Sequence, residues 1–164
     1  MPNLGSCMVF TFSSLVAQAA ERGMPGVAYG GEVSALETWE ALQSIPDAQL
    51  VDVRTPPEWS FSGIPTLASV GKKPLPLSWK LFPSYEVNPD FIAALQRSVA
   101  NRETPLFFLC RTGGRSLDAA AAATAAGYTH AFNVTDGFEG PSNAERQRGQ
   151  LAGWRAAGLP WEQS

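Results

Sequence analysis

The stretch at 105–116 constrains this chain more than any other. Four apolar residues, Leu106, Phe107, Phe108 and Leu109, run into Cys110, and Arg111, Thr112, Gly113, Gly114, Arg115 and Ser116 follow before an alanine-rich run that ends at Gly127. A short continuous apolar run bounded by turn residues reads as a buried strand. An alanine run closed by glycine reads as a helix with its C-terminal stop. The backbone therefore passes from sheet to helix within a few residues, and Cys110 stands at that junction. The first turn of a helix leaves N–H groups without intrahelical acceptors and carries the positive end of the helix dipole, so the junction suits an anion. Arg111 and Arg115 add two cations, and such surroundings favour thiolate over thiol. The ordinary alternative is a cysteine that merely packs at the end of a core strand. Such a residue gains nothing from the glycines and arginines beside it.

The rest of the pattern alternates helices and strands. Ser34 and Glu37 form a capping box ahead of Leu36, Trp39 and Leu42, which predicts a helix from about Ala35 to Ser44. Residues 49–53 read as a buried strand, and Pro56, Pro57 and Glu58 as a tight turn or short helical start. Asn88 and Pro89 suit the N-cap and first position of a second helix, whose apolar face is Phe91, Ile92, Leu95 and Val99. Residues 129–134 supply a further strand before a turn at Asp136 and Gly137. This alternation implies an α/β fold, a mostly parallel sheet flanked on both faces by helices. Sites in such sheets lie beyond the carboxyl ends of the strands, so Asp52, Cys110 and the turn at 135–138 are expected to converge.

Charge and length exclude several classes of function. A net charge of −3 gives no electrostatic footprint for nucleic acid. No apolar run approaches the roughly 20 residues that span a bilayer. The 164 residues suit one folded domain. Cys7 and Cys110, one in a tail and one in the loop, make no disulfide framework, which fits a reducing, cytoplasmic compartment. Met8, Val9, Phe10, Thr11 and Phe12, followed by Leu15, Val16 and Ala17, resemble the apolar part of an export signal, but no Lys or Arg precedes them. Export is the minor alternative. We read residues 1–30 as an N-terminal extension with a short helix, capped by Ser13 or Ser14 and ended by Gly23, and 31–164 as the domain. His130 is the only histidine, and with no second His or Cys at ligand spacing it reads as structural, with no metal site and no cofactor expected.

The spacing inside the loop discriminates between two chemistries. Cysteine phosphatases place one more residue between cysteine and arginine, which widens the ring of amides to phosphoryl size, whereas Cys110 and Arg115 have four residues between them. The tighter loop resembles the active-site loop of the rhodanese-like sulfurtransferases. Leu50, Val51, Asp52, Val53, Arg54, Thr55, Pro56, Pro57, Glu58 and Trp59 resemble the first signature of that family. Gly153, Trp154, Arg155, Ala156, Ala157, Gly158, Leu159, Pro160 and Trp161 resemble its C-terminal one. The likeness covers about residues 32–162. Two features depart from it. Ser62, Gly63, Ile64, Pro65, Thr66 and Leu67 lack the histidine usual after the first signature, and the connection at 67–88 is long for a link between elements. Its Trp79, Phe82 and Tyr85 either cover the site or pack the loop onto the body.

The resemblance implies a three-layer rhodanese-like fold and a two-stage sulfur transfer needing no metal or organic cofactor. Cys110 takes the outer sulfur of a small anionic donor such as thiosulfate, holds it as a persulfide, and yields it to cyanide, a thiol or a protein acceptor. The loop residues Arg111, Thr112, Gly113, Gly114, Arg115 and Ser116 are then the persulfide and substrate cradle. In the family the charged residues of the first signature buttress the site, so Arg54 with Glu58 is the expected ion pair and Asp52 a hydrogen-bond partner for loop groups. Phe138 and Trp59 are candidates for its walls. Two other readings stand beside this one, a noncatalytic sulfur-carrier or regulatory module and, with the wider loop it lacks, a phosphatase or arsenate reductase.

Overall fold

A computed structural model describes residues 10–163, so Cys7 and the start of the apolar stretch at 8–17 lie outside the described residues. Its centre is a sheet of five strands, β1 (Gly31–Val33), β2 (Gln49–Asp52), β4 (Leu75–Pro76), β7 (Leu106–Leu109) and β8 (Ala131–Val134), in the order β1-β8-β7-β2-β4. Every pairing in it is parallel. Parallel strands need covered faces, and β7 and β8 are buried throughout, as the unbroken apolar runs predict.

Alternate residues of each strand face opposite layers. Leu50, Phe107, Leu109, Phe132 and Val134 point into one core, with Ala41 and Leu42 of α2 (Ala35–Ser44) and Leu15 and Ala19 of α1 (Phe12–Glu21). Val51, Val53, Leu106, Phe108 and Cys110 point into the other, with Phe91 and Leu95 of α4 (Phe91–Ser98) and Ala119, Ala120 and Ala123 of α5 (Gly114–Ala125). The alanines of α5 recur at i, i+1 and i+4, and their small side chains let the helix lie close to β7 and β8. This is the three-layer α/β arrangement the sequence implies.

Three local readings change. The α2 capping box forms as expected, with the Glu37 N–H donating to Ser34 Oγ at 3.0 Å. The buried face, however, is Ala35, Thr38, Ala41 and Leu42, while Leu36 is 58% exposed, because position 36 falls a full step of helical rotation away from that stripe. Helix α4 begins two residues later than Asn88 and Pro89 suggest. Asn88 Oδ1 instead accepts from the Asp90 N–H at 3.0 Å, a side-chain turn that competes with the helix start. Thr11, not Ser13 or Ser14, caps α1. That helix packs on β1 so closely that a Cβ at Gly31 would lie 1.9 Å from Ala19 O.

Helix α3 (Pro56–Ser62) comes before the long connection at 67–88, which itself holds short strands. β3 (Ile64–Pro65) pairs antiparallel with β9 (Trp161–Glu162), and β5 (Lys80–Leu81) with β6 (Glu86–Val87). Trp79 packs into the core against Phe91, ring centroids 5.0 Å apart, whereas Phe82 and Tyr85 remain half exposed. The loop is thus anchored by one aromatic and presents two. Trp154 of the C-terminal segment is fully buried, edge-on to Trp39, with its indole N–H donating to Pro160 O at 2.8 Å. Among the described residues, no helix is long and apolar enough to cross a membrane.

Candidate active site

Cys110 directly follows β7, and the chain turns within three further residues into α5. The Gly113 N–H donates to Cys110 Sγ at 3.0 Å, and the Ser116 hydroxyl lies 3.1 Å from the same sulfur. Cys110 is 1% exposed, whereas Arg111 and Thr112, which follow it in the loop, are both exposed. The turn that brings Gly113 back onto the sulfur needs φ +110°, and a Cβ there would sit 2.1 Å from Thr135 O. Glycine is required on both counts. The expected convergence of strand ends is met on the other side of the loop. The Phe138 N–H donates to Cys110 O at 2.8 Å and the Glu139 N–H to Arg111 O at 3.0 Å. Gly137 passes so close that a Cβ would lie 2.5 Å from both carbonyls. The loop after β8 therefore clamps the loop after β7.

The ion pairs differ from the expected Arg54–Glu58 pairing, because the partners are exchanged. Arg54 binds Asp52, Nε to Oδ1 at 2.9 Å and Nη2 to Oδ2 at 2.7 Å, and Nη2 also donates to Gly63 O at 2.9 Å. Both side chains are essentially fully buried, and the guanidinium lies 4.4 Å from the centroid of the Phe138 ring. Two residues apart at the strand end, Asp52 and Arg54 share one side of the backbone, so the Asp52 carboxylate is spent on its neighbour and not on the loop. Phe138 serves as the floor under Arg54. Trp59 lines a separate cavity of about 490 Å³ with Asp52, Ile64, Leu67 and Pro74.

Glu58 faces α5 because it is the third residue of α3, where its Oε1 also accepts from Thr55 Oγ1 at 2.9 Å and Thr55 N–H at 3.2 Å. Arg115 meets it with two parallel bonds, 2.7 and 2.8 Å, and so fastens the start of the helix behind Cys110 to α3. Burial pushes the Glu58 carboxyl up, but the hydrogen bonds and charge of Arg115, helped by Thr55, outweigh it and hold the carboxyl below its ordinary range. A depressed carboxyl stabilises the fold above about pH 4.3, the ordinary glutamate value, and loses that contribution as pH falls through its lower folded value. Glu58→Gln is therefore expected to be less stable than wild type at neutral pH, by on the order of 1 kcal/mol. Melting curves across pH should show the gap closing in acid. A gap that stays constant into strong acid would contradict the pairing.

Three polar residues beyond the predicted set complete the site. Asn133, 3% exposed in the middle of β8, bonds Ser116 Oγ through Oδ1 and donates from Nδ2 to Gly113 O at 3.0 Å and to Glu32 Oε1 at 3.0 Å. Glu32 of β1 is its neighbour in register and also accepts from Thr135 Oγ1 at 3.0 Å and from the Tyr29 hydroxyl. Burial, followed by that hydrogen bond, pushes the Tyr29 hydroxyl up to about 12. The available signal was an asparagine inside an otherwise apolar strand, since a buried amide must find partners. His130 stacks edge-on to Phe12, 4.9 Å between centroids, and beside Phe132. Among the described residues, no group of three or more His, Cys, Asp or Glu is placed to hold a metal ion.

What this arrangement can do is hold a cysteine sulfur, and a charged group bonded to it, against amides at a helix N-terminus with arginines beside them. Known proteins share the framework. A crystal structure of Rv0390 from M. tuberculosis is 47% identical, with TM-score 0.76, and the match covers 84% of this chain and 100% of that one. An uncharacterized Rickettsia rickettsii protein, the RP600 homolog, is 38% identical over 130 residues, 79% of this chain and 95% of its own length. The rice (Oryza sativa subsp. indica) chloroplastic protein THYLAKOID RHODANESE-LIKE is 35% identical over 132 residues, 80% of this chain but 25% of the rice protein. The family model described as the STR4 middle domain matches residues 29–164. The chain belongs to this family of rhodanese-like domains.

Proposed function

We propose that this protein is a sulfurtransferase that carries sulfane sulfur on Cys110 between a small anionic donor such as thiosulfate and a nucleophilic acceptor, cyanide or a thiol. The observation that carries this reading is the Gly113 N–H on Cys110 Sγ at the start of α5, within a loop that leaves four residues between Cys110 and Arg115. The thiolate attacks the outer sulfur of the donor, sulfite departs with the bonding pair, and the acceptor later removes the terminal sulfur and returns the thiolate. A backbone N–H aimed at the sulfur, as that of Gly113 is, stabilises charge without reorganising, and such a donor is typically worth a few kcal/mol. The roles of Asp52, Arg54 and Glu58 are supporting ones, exerted through Phe138 and Arg115 and not by contact with the sulfur. A reducing, cytoplasmic compartment suits such a thiol.

Because one enzyme form is covalently loaded, steady-state rates with varied thiosulfate and cyanide should give parallel double-reciprocal lines. Intersecting lines would contradict a persulfide intermediate. A protein that loads sulfur but turns over no small acceptor would favour a carrier module. In this reading Arg111, exposed in the loop, meets the sulfonate of the donor. Arg111→Ala is expected to slow the donor half-reaction about ten- to hundredfold, as loss of a charge-assisted bond worth roughly 1.5–3 kcal/mol implies. Discharge to the acceptor should change much less. Single-turnover rates for the two halves check this, and loading at the wild-type rate would show that the amides suffice.

A further inference from the structure

Both groups that bond the sulfur of Cys110 are held by one side chain. Gly113 donates its N–H to Sγ and gives its carbonyl to Asn133 Nδ2, while Ser116 contacts Sγ through Oγ and contacts Asn133 Oδ1 through the same atom. The orientation of the Asn133 amide is fixed by its other neighbours. Gly113 O and the Glu32 carboxylate are acceptors only, so the NH₂ end must face them and the oxygen must face Ser116. Thr135 and Tyr29, both donating to Glu32, hold that carboxylate in place.

Ser116 has a single hydroxyl hydrogen and two acceptors competing for it, Asn133 Oδ1 and Cys110 Sγ. We infer that Asn133 is a positioning residue that parks the Ser116 hydrogen whenever the cysteine sulfur is neutral and releases it to the sulfur when Cys110 becomes a thiolate. In the resting thiol, S–H donates to Ser116 Oγ and the hydroxyl donates to Asn133. In the persulfide the inner sulfur is again neutral, and the hydroxyl again points to Asn133. When the acceptor bonds to the outer sulfur, the sulfur–sulfur bond breaks and its electron pair stays on Cys110 Sγ. Ser116 then turns its hydrogen onto that thiolate. Loading reverses the rotation: the thiolate bonds to the outer sulfur of thiosulfate, sulfite leaves with the pair, and the hydrogen returns to Asn133. It remains on Ser116 throughout, so no proton is transferred, and no buried hydroxyl is left unpaired in either state, an omission that costs about 1–3 kcal/mol.

The inference rests on Cys110 being the sulfur carrier, but its first test uses no sulfur donor. Ultraviolet thiolate absorbance, followed across pH with Cys110→Ser as blank, compares wild type with Asn133→Leu, which has the shape of asparagine and no acceptor. Of the other charged groups disposed around this sulfur, Arg111 and the Arg115–Glu58 pair are unchanged by the substitution, while Glu32 loses the Asn133 amide and keeps Thr135 and Tyr29 as donors. With nowhere else to go, the Ser116 hydrogen stays on the sulfur, and the thiolate should persist to lower pH than in wild type. In Ser116→Ala it should persist less. With thiosulfate added, the equilibrium for persulfide loading should fall about fivefold in Asn133→Leu, the worth of one net hydrogen bond. If circular dichroism shows that Asn133→Leu is unfolded, Asn133→Val is read the same way. A thiolate that appears at the wild-type pH or higher in the folded variant overturns the inference while leaving sulfur transfer itself untouched. Absence of loading in every protein, wild type included, would instead overturn the sulfurtransferase reading.

Discussion

Cys110→Ser is expected to abolish thiosulfate-dependent thiocyanate formation, while Cys7→Ser leaves it nearly intact. Serine keeps the size of the side chain and can keep the bond from the Gly113 N–H, but its hydroxyl is a far weaker nucleophile at neutral pH and forms no persulfide. The loss is therefore chemical and not structural, and the variant should melt close to wild type. Cys110 is the free cysteine among the described residues, and its sulfur is the one that meets the helix N-terminus. Thiocyanate assays and melting curves on the two variants check both halves of the expectation. Residual turnover in Cys110→Ser above the buffer rate would place the sulfur elsewhere.

The second large effect is on stability. Arg54→Leu should destabilise the protein by about 3–5 kcal/mol, because it leaves the Asp52 carboxylate buried at the carboxyl end of β2 without its partner. For a domain whose whole stability is of order 5–15 kcal/mol this is a large fraction, and the melting temperature should fall on the order of 10 °C. Replacing both members with apolar residues should cost much less, since no charge is then stranded. The site should suffer along with the fold. Arg54 lies on Phe138, whose N–H holds the Cys110 carbonyl, so sulfur transfer should weaken in Arg54→Leu even at temperatures where the variant is folded. Denaturation of the single and double variants tests the account. Equal destabilisation by the two would show that packing on Phe138, and not the stranded charge, is what matters.

The parts of the site that were legible in the sequence are those where one physical demand leaves a strong local trace. An apolar run that stops at a thiol, two glycines and an alanine helix can be read without knowing what lies opposite. Capping at Ser34 and Glu37 is equally local. Pairings across the chain are less visible. Arg54 and Glu58 stand four apart and invite pairing on paper, yet α3 begins between them and the side chains part, Arg54 onto Phe138 and Glu58 toward α5. Leu36 shows the same limit, since an apolar residue near a helical stripe is not thereby on it. Asn133 and Glu32 are 101 positions apart and meet only because β1 and β8 are adjacent in the sheet, an adjacency that the order of strands in the sequence does not reveal. Short strands such as β4 and β9, two residues each, carry too little pattern to be found at all.

The central claim, that Cys110 carries transferable sulfur, is tested most directly by the intact mass of the protein after treatment with thiosulfate and removal of small molecules. The account predicts a gain of one sulfur atom on the wild-type chain, lost on reduction or on addition of cyanide, and no gain on Cys110→Ser. An unchanged mass in the wild type, or the same gain on Cys110→Ser, would contradict it.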